Sequence, residues 1–296
     1  MCTIHIGSSL SVANLSLKEQ IVQTLDSLNK ADYGNIGLYK GANMNWYGLY
    51  TLFSKEVWRF LKVGVQTILT PVITVLLYLL VFASVLSEHV EVYEGVNYTA
   101  FLIPGLIMMS IIQNAFANSS SSLFQSKMTG SLVFMLLPPL SSLEFYLAFV
   151  GAAVLRGLLV GLGVWIATWW FVELPIYNVW VLFIFSVLGS AVLGALGLIA
   201  SQSAEKWDHI SAFQNFLILP LTFLSGVFYR IDSLPDFWEK ASYYNPFFYM
   251  IDGFRYGFFG VSEINIALSL MIVSLFLFIV SAFGLWLLHI GYRIRH

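Results

Sequence analysis

The chain has 296 residues, of which 58% are hydrophobic and only 10% charged. Soluble domains carry about 25% charged residues, so a water-soluble globule of this composition could not cover its own surface with polar groups, and a bilayer is its natural solvent. A formal net charge of −2 offers no basic surface for nucleic acid, and the lone cysteine, Cys2, excludes an internal disulfide or a cysteine-cluster metal site. The histidines are scattered, with no pair at the spacing of a metal-binding helix, so no metal is expected.

In chain order, 14–29 reads as a modest amphipathic helix and 31–45 as a Gly- and Asn-rich linker. In 46–62, the apolar residues Leu49, Leu52, Phe53, Val57, Phe60 and Leu61 recur at helical spacing, with Lys55, Glu56, Arg59 and Lys62 between them. That pattern predicts a helix lying in the inner headgroup region, anchored by Trp46 and Trp58. A crossing helix needs about 20 apolar residues. Six runs are candidates: 64–86, 101–117, 145–171, 179–200, 210–228 and 266–288. They are continuously apolar, without the alternation of a membrane barrel. The expected fold is therefore an all-α membrane protein with six transmembrane helices.

Ten of the fourteen Lys and Arg residues fall on the side of the termini if the chain crosses six times. Both termini are thus expected in the cytoplasm. On that side, 119–144 is expected to be a loop, broken by Gly130 and Pro138-Pro139. Its apolar run 132–137 needs the membrane surface or a partner protein for cover. On the outer side, 229–260 is too aromatic for an aqueous loop. Pro235 can start a short helix, Asn245-Pro246 stops it, and 247–259 follows as a second apolar piece. A re-entrant helical hairpin dipping into the outer interface, between spans five and six, fits this pattern.

The stretch 216–260, FLILPLTFLSGVFYRIDSLPDFWEKASYYNPFFYMIDGFRYGFFG, resembles the signature of the membrane subunits of bacterial type-2 ATP-binding-cassette (ABC) exporters. Its matching features are Pro220, Ser225-Gly226, Phe228, Pro235, Asn245-Pro246 and Arg255. The inner loop MTGSLVFMLLPPLSSLEFY is similar to the family's cytoplasmic loop. The resemblance runs from about Trp46 to the C-terminus, which divides the chain into a cytoplasmic extension, 1–45, and a transmembrane domain, 46–296. It is nearest to the group of drug, nodulation-factor and capsule or O-antigen exporters.

The resemblance implies a homodimer in the bacterial inner membrane and a separate ATP-binding subunit that holds ATP and Mg. The chain itself would be no enzyme and would bind no cofactor. In agreement, it has no Gly-x-x-x-x-Gly-Lys-Ser/Thr phosphate loop. By resemblance, Lys127, Met128, Gly130 and Leu132 would dock the ATPase. The substrate path would run between spans two and five, where Asn114, Asn118, Gln214, Asn215, Thr222 and Phe223 are the candidate lining. Phe228, Pro235, Asn245, Pro246 and Arg255 would mark the outer hairpin, whose stretch 228–244 would form a lid over release.

Arg156 stands alone as an intramembrane charge, about 16 Å into its span at 1.5 Å per residue. Such a charge costs at least about 2.5–3.5 kcal/mol and must face protein or water, either as a structural bond or as a contact for a polar substrate head. The expected function is export of hydrophobic or amphipathic, drug-like molecules (multidrug efflux). Lipid-linked glycan or nodulation-type lipo-oligosaccharide is the alternative cargo. An ion-coupled secondary transporter is the rival from another class. Such proteins usually carry acidic residues within spans, and none of the six runs has an Asp or Glu.

Overall fold

A computed structural model describes residues 44–86, 91–93 and 96–292. The expected helix at 14–29, all but the last two residues of the expected linker at 31–45, and the basic pair Arg293 and Arg295 lie outside the described residues. Helix α1 (Trp46–Leu61) starts at Asn45, whose side-chain oxygen accepts the Gly48 N–H at 2.9 Å. That bond satisfies one of the donors every helix start leaves unpaired. Its buried face is Leu52, Glu56 and Phe60, while Trp46 and Trp58 are exposed. Helix α2 (Gly64–Leu86) follows with the bounds expected of the first apolar run. Strands β1 (Glu91–Tyr93) and β2 (Val96–Asn97) form a short antiparallel ladder, the only strands among the described residues.

Helix α3 (Tyr98–Met128) is buried along most of its 31 residues. The loop expected from residue 119 does not begin there. The serines that suggested it lie inside α3, because their hydroxyls bond back along the same helix. Ser120 Oγ donates to the Phe116 carbonyl at 2.8 Å, and Ser126 Oγ to that of Ser122 at 2.9 Å. Satisfied in this way, a hydroxyl can be buried without breaking the helix. The connection from α3 to α5 is correspondingly short: Gly130 takes a positive φ of 71°, and α4 (Leu132–Leu136) leads to Pro138-Pro139.

Helix α5 (Ser142–Thr168) opens on a capping box, in which Ser141 Oγ accepts the Glu144 N–H and the Glu144 carboxylate accepts that of Ser141. Helix α6 (Val179–Ser203) is capped by Asn178, which accepts from Trp180 and Val181. Helices α3, α5 and α6 pack on one another at the centre of the molecule. Glycines allow the approach: a Cβ on Gly197 would lie 2.5 Å from the Phe116 carbonyl oxygen, and one on Gly157 3.1 Å from that of Ile111.

The expected fifth span is not one regular helix. Helix α7 (Trp207–Phe213), a π turn (Gln214–Ile218) and α8 (Leu219–Phe223) follow without a break. Pro220 has no N–H to continue the ladder and its ring crowds the preceding turn, so the backbone widens just before it. Five helices, α2, α3, α5, α6 and α11 (Ile266–Ile290), are long and apolar enough to cross a membrane among the described residues.

Between α8 and α11 lie α9 (Asp236–Tyr243) and α10 (Pro246–Phe259). Asn245 caps α10 by accepting the Phe247 N–H at 3.0 Å, Pro246 pre-sets its first turn, and Gly260 ends it at φ 70°. Helix α10 is buried against α6, α11 and α3. Its aromatic residues are therefore core, which explains a composition unsuited to an aqueous loop.

Candidate functional site

A cavity of about 440 Å³ lies among α1, α2, α3, α5 and the π turn. Most of its lining is polar, although three of the helices around it, α2, α3 and α5, are long and apolar enough to cross a membrane. Its long wall is a stripe on α2, where Gln66, Thr70, Thr74 and Tyr78 recur every four residues and so share one face. The stripe extends about 18 Å at 1.5 Å per residue. Helix α3 faces it with Ser110, Gln113, Asn114 and Ser121, and Gln214 closes one side from the π turn.

Two arginines are the only charged lining residues. Arg156, midway along α5, donates from Nη2 to Asn114 Oδ1 at 3.2 Å. Its Nε is buried without a partner, and among the described residues no carboxylate pairs with it. Arg59, on α1, donates from Nε to the Glu56 carboxylate at 3.2 Å, and from Nη2 to the side chain and carbonyl of Asn118. Glu56 is fully buried and also accepts from Lys55 at 2.7 Å and from the Ser122 hydroxyl. The end of the cavity at Arg59 is therefore electropositive and held by these bonds.

At the other end Tyr78 leads into an aromatic cluster. The Phe228 ring centroid lies 5.6 Å from Tyr78, 5.2 Å from Phe82 and 5.5 Å from Phe223. Offset and edge contacts of this kind hold rings together without a polar bond. They form a hydrophobic end to a polar cavity.

The candidate path residues divide accordingly. Asn114 and Gln214 line the cavity. Asn118 is buried behind it as the partner of Arg59. Asn215 is exposed elsewhere. Thr222 is buried, with its hydroxyl on the Ile218 carbonyl at 2.7 Å, and Phe223 belongs to the aromatic end. The polar stripe of α2 is absent from the expected set. Its signal was the four-residue spacing in 66–78, muted because threonine hardly lowers the hydropathy of a run.

Of the candidate docking residues, Lys127 bonds to the carbonyls of Gln202 and Ala204 at the end of α6, and Leu132 is buried in the core. Met128 and Gly130 are exposed, as are their neighbours Val133, Phe134 and Leu137. On the other side, Asn245 Nδ2 donates to the Leu221 carbonyl at 2.6 Å and Arg255 Nη2 to that of Gly226 at 2.9 Å. The Arg255 guanidinium also lies over the Phe101 ring at 3.8 Å. These contacts tie α10 to α8, to the turn after it and to α3. Pro235 is exposed ahead of α9.

The chain is 37% identical over 236 residues to the inner membrane transport permease YadH of Escherichia coli strain K12, a match covering 79% of this chain and 92% of that protein. It is 24% identical over 240 residues to nodulation protein J of Rhizobium leguminosarum bv. viciae, covering 79% and 90%. A polar cavity walled by long apolar helices suits a transport protein, and the family profile described as ABC-2 type transporter matches residues 47–259, so the chain belongs to the ABC-2 type transporter family.

Proposed function

We propose that this chain is the permease subunit of an ATP-driven exporter that moves amphipathic, drug-like molecules out of the cytoplasm or inner leaflet. The observation that carries the reading is the polar cavity itself, a wall of hydroxyls, amides and two arginines set into lipid-length helices. An aqueous protein has no need of apolar flanks on such a site, and a mere anchor has no need of the site.

On this reading the transmembrane domain is 46–296, in a bacterial inner membrane with both termini in the cytoplasm. The segment 207–223 supplies the sixth crossing, α1 lies in the inner interface, and α9–α10 dip into the outer one. The α2 stripe is exposed in the single chain, which supports a second copy of the chain completing the path. Met128, Gly130, Val133, Phe134 and Leu137 are exposed beside the inner turn and suit the docking of an ATP-binding subunit, which would hold ATP and Mg. Lys127 and Leu132 would hold that surface in place from behind. Closure of the ATPase pair would then move α1 and the inner turn, and the Phe228 cluster would control release.

The similarity to nodulation protein J supports a second cargo class, a lipo-oligosaccharide or lipid-linked glycan. The test is to purify the chain from its host in mild detergent and reconstitute what accompanies it in vesicles. The expected result is a stoichiometric ATPase whose hydrolysis rises with amphipathic substrates and drives their movement. A chain recovered alone, with transport indifferent to ATP, would overturn the reading.

A further inference from the structure

Two donors on different helices meet at the cavity without acceptors to match. Arg156 Nε and Gln113 Nε2 belong to two lining residues on different helices, α5 and α3, and both atoms are buried with no protein acceptor. The one bond Arg156 makes is to a neutral amide, Asn114. The carboxylate Glu56 is shared between Lys55 and Arg59, and the cavity lining among the described residues holds two arginines and no carboxylate. Buried donors and cations of this kind call for an oxyanion, which accepts several N–H bonds at once and pairs with a guanidinium in two-toothed geometry.

The surroundings indicate what carries that oxyanion. The cavity opens along one side, and the apolar residues Val63, Val75 and Met109 interrupt its polar lining. Beside the stripe, α2 exposes Leu69, Ile73 and Leu77. A headgroup held at the arginines would therefore leave its tail against apolar side chains within the hydrocarbon layer.

We propose that Arg59, Arg156 and Gln113 form the headgroup site for an anionic amphiphile, a molecule with a phosphate, sulfate or carboxylate head and an apolar tail. The inference rests on the export reading above and adds the charge of the cargo. An amphiphile entering from the side meets the arginine pair first by charge, and its tail follows the α2 face. Cationic amphiphiles of equal tail length are rejected by the same two guanidiniums.

The test measures binding of dodecyl phosphate to the purified full-length chain in neutral phosphatidylcholine nanodiscs, with dodecyltrimethylammonium and inorganic phosphate as comparison probes. Dodecyl phosphate is expected to bind at least about tenfold more tightly than the cationic amphiphile, and Arg156→Gln to weaken it by on the order of tenfold. Arg156→Lys, which keeps the charge, should recover part of the loss, and Gln113→Leu serves if Arg156→Gln does not fold. Equal binding of the two amphiphiles, or unchanged affinity in a folded Arg156→Gln chain, would overturn the proposal. Competition by inorganic phosphate at the same concentration as dodecyl phosphate would assign the pair to a free oxyanion and overturn the amphiphile. Neither ATP nor an ATPase takes part in the measurement. A failed headgroup site is therefore distinguishable from a failed export reading.

Discussion

One nitrogen of Arg59 joins α1 to α3: Nη2 donates to Asn118 at both the side-chain oxygen, 2.8 Å away, and the carbonyl, 3.1 Å away. Together with the Glu56–Ser122 bond it fixes α1 against α3 at one end of the polar cavity. Removing the carboxylate leaves Lys55 and Arg59 without their shared anion. Glu56→Ala is expected to destabilise the fold by about 3 kcal/mol, the low end for breaking a buried pair, because the two cations are partly exposed. Asn118→Ala keeps the carbonyl contact and should cost about 1.5 kcal/mol. Thermal unfolding of the detergent-solubilised variants measures both, and an Asn118→Ala loss equal to that of Glu56→Ala would contradict the ranking.

The glycines of α6 separate into two kinds by what a methyl group would strike. At Gly197 it meets the Phe116 carbonyl oxygen at 2.5 Å, and a helix backbone cannot step aside alone. At Gly189 it meets the terminal methyl of Met108, the far end of a flexible side chain. Gly197→Ala is therefore expected to push α3 and α6 apart and lose about 1–3 kcal/mol, whereas Gly189→Ala is absorbed by a rotamer change. Fluorescence-detected size exclusion after a heating series should show an early loss of the first variant alone.

Much of this arrangement can be read from the residues themselves, and the exceptions have a common cause. The run 64–86 was legible because a continuous apolar stretch has one stable setting in a bilayer. The polar residues of 114, 156 and 214 stood out against such runs and do meet at one cavity. Glu56 stands among the charged residues between the apolar positions of 46–62, yet it lies on the buried face of α1 with Leu52 and Phe60. Its burial depends on Ser122, 66 positions away, and local periodicity carries no trace of that partner. The serines after residue 118 read as a loop because hydroxyls lower hydropathy, although bonded to their own helix they do not end it. In 210–228 the proline, Pro220, breaks the ladder of backbone bonds within a run read as a plain span, and whether that yields a kink or a π turn is decided by neighbouring helices.

Asn245 holds two things at once. Its oxygen caps α10 at Phe247, and its amide nitrogen reaches the Leu221 carbonyl at 2.6 Å. Asn245→Ala removes both and is expected to lose about 1–3 kcal/mol. Asn245→Asp keeps the cap oxygen but places a carboxylate against the Leu221 carbonyl. If the link between α10 and α8 matters more than the cap, the Asp variant is as unstable as the Ala variant. A melting temperature restored by Asp would show that the cap carries the effect.

The connection between α10 and α11 also contains a proton-sensitive joint. Glu263 accepts the Ile231 N–H at 3.3 Å, and its own N–H donates to Asp252 at 3.0 Å. Burial pushes the Glu263 carboxyl up from 4.5 to about 7; nearby Asp252 and Asp232 add to the rise, and Arg255 and the Ile231 N–H oppose it. Burial likewise raises the Asp252 carboxyl above its ordinary value. A carboxyl with a raised folded pKa binds more protons folded than unfolded. Its contribution is therefore complete below about pH 4.5 and is lost as the pH climbs through about 7. Protonated Glu263 still offers Ile231 a carbonyl oxygen, so acid tightens the joint between the 231–233 turn and α10. Melting temperatures of the purified protein should fall between pH 5 and pH 8. Glu263→Gln, neutral at every pH, should flatten that slope without abolishing it, since Asp252 still titrates. An unchanged slope in Glu263→Gln would assign the pH dependence to other groups.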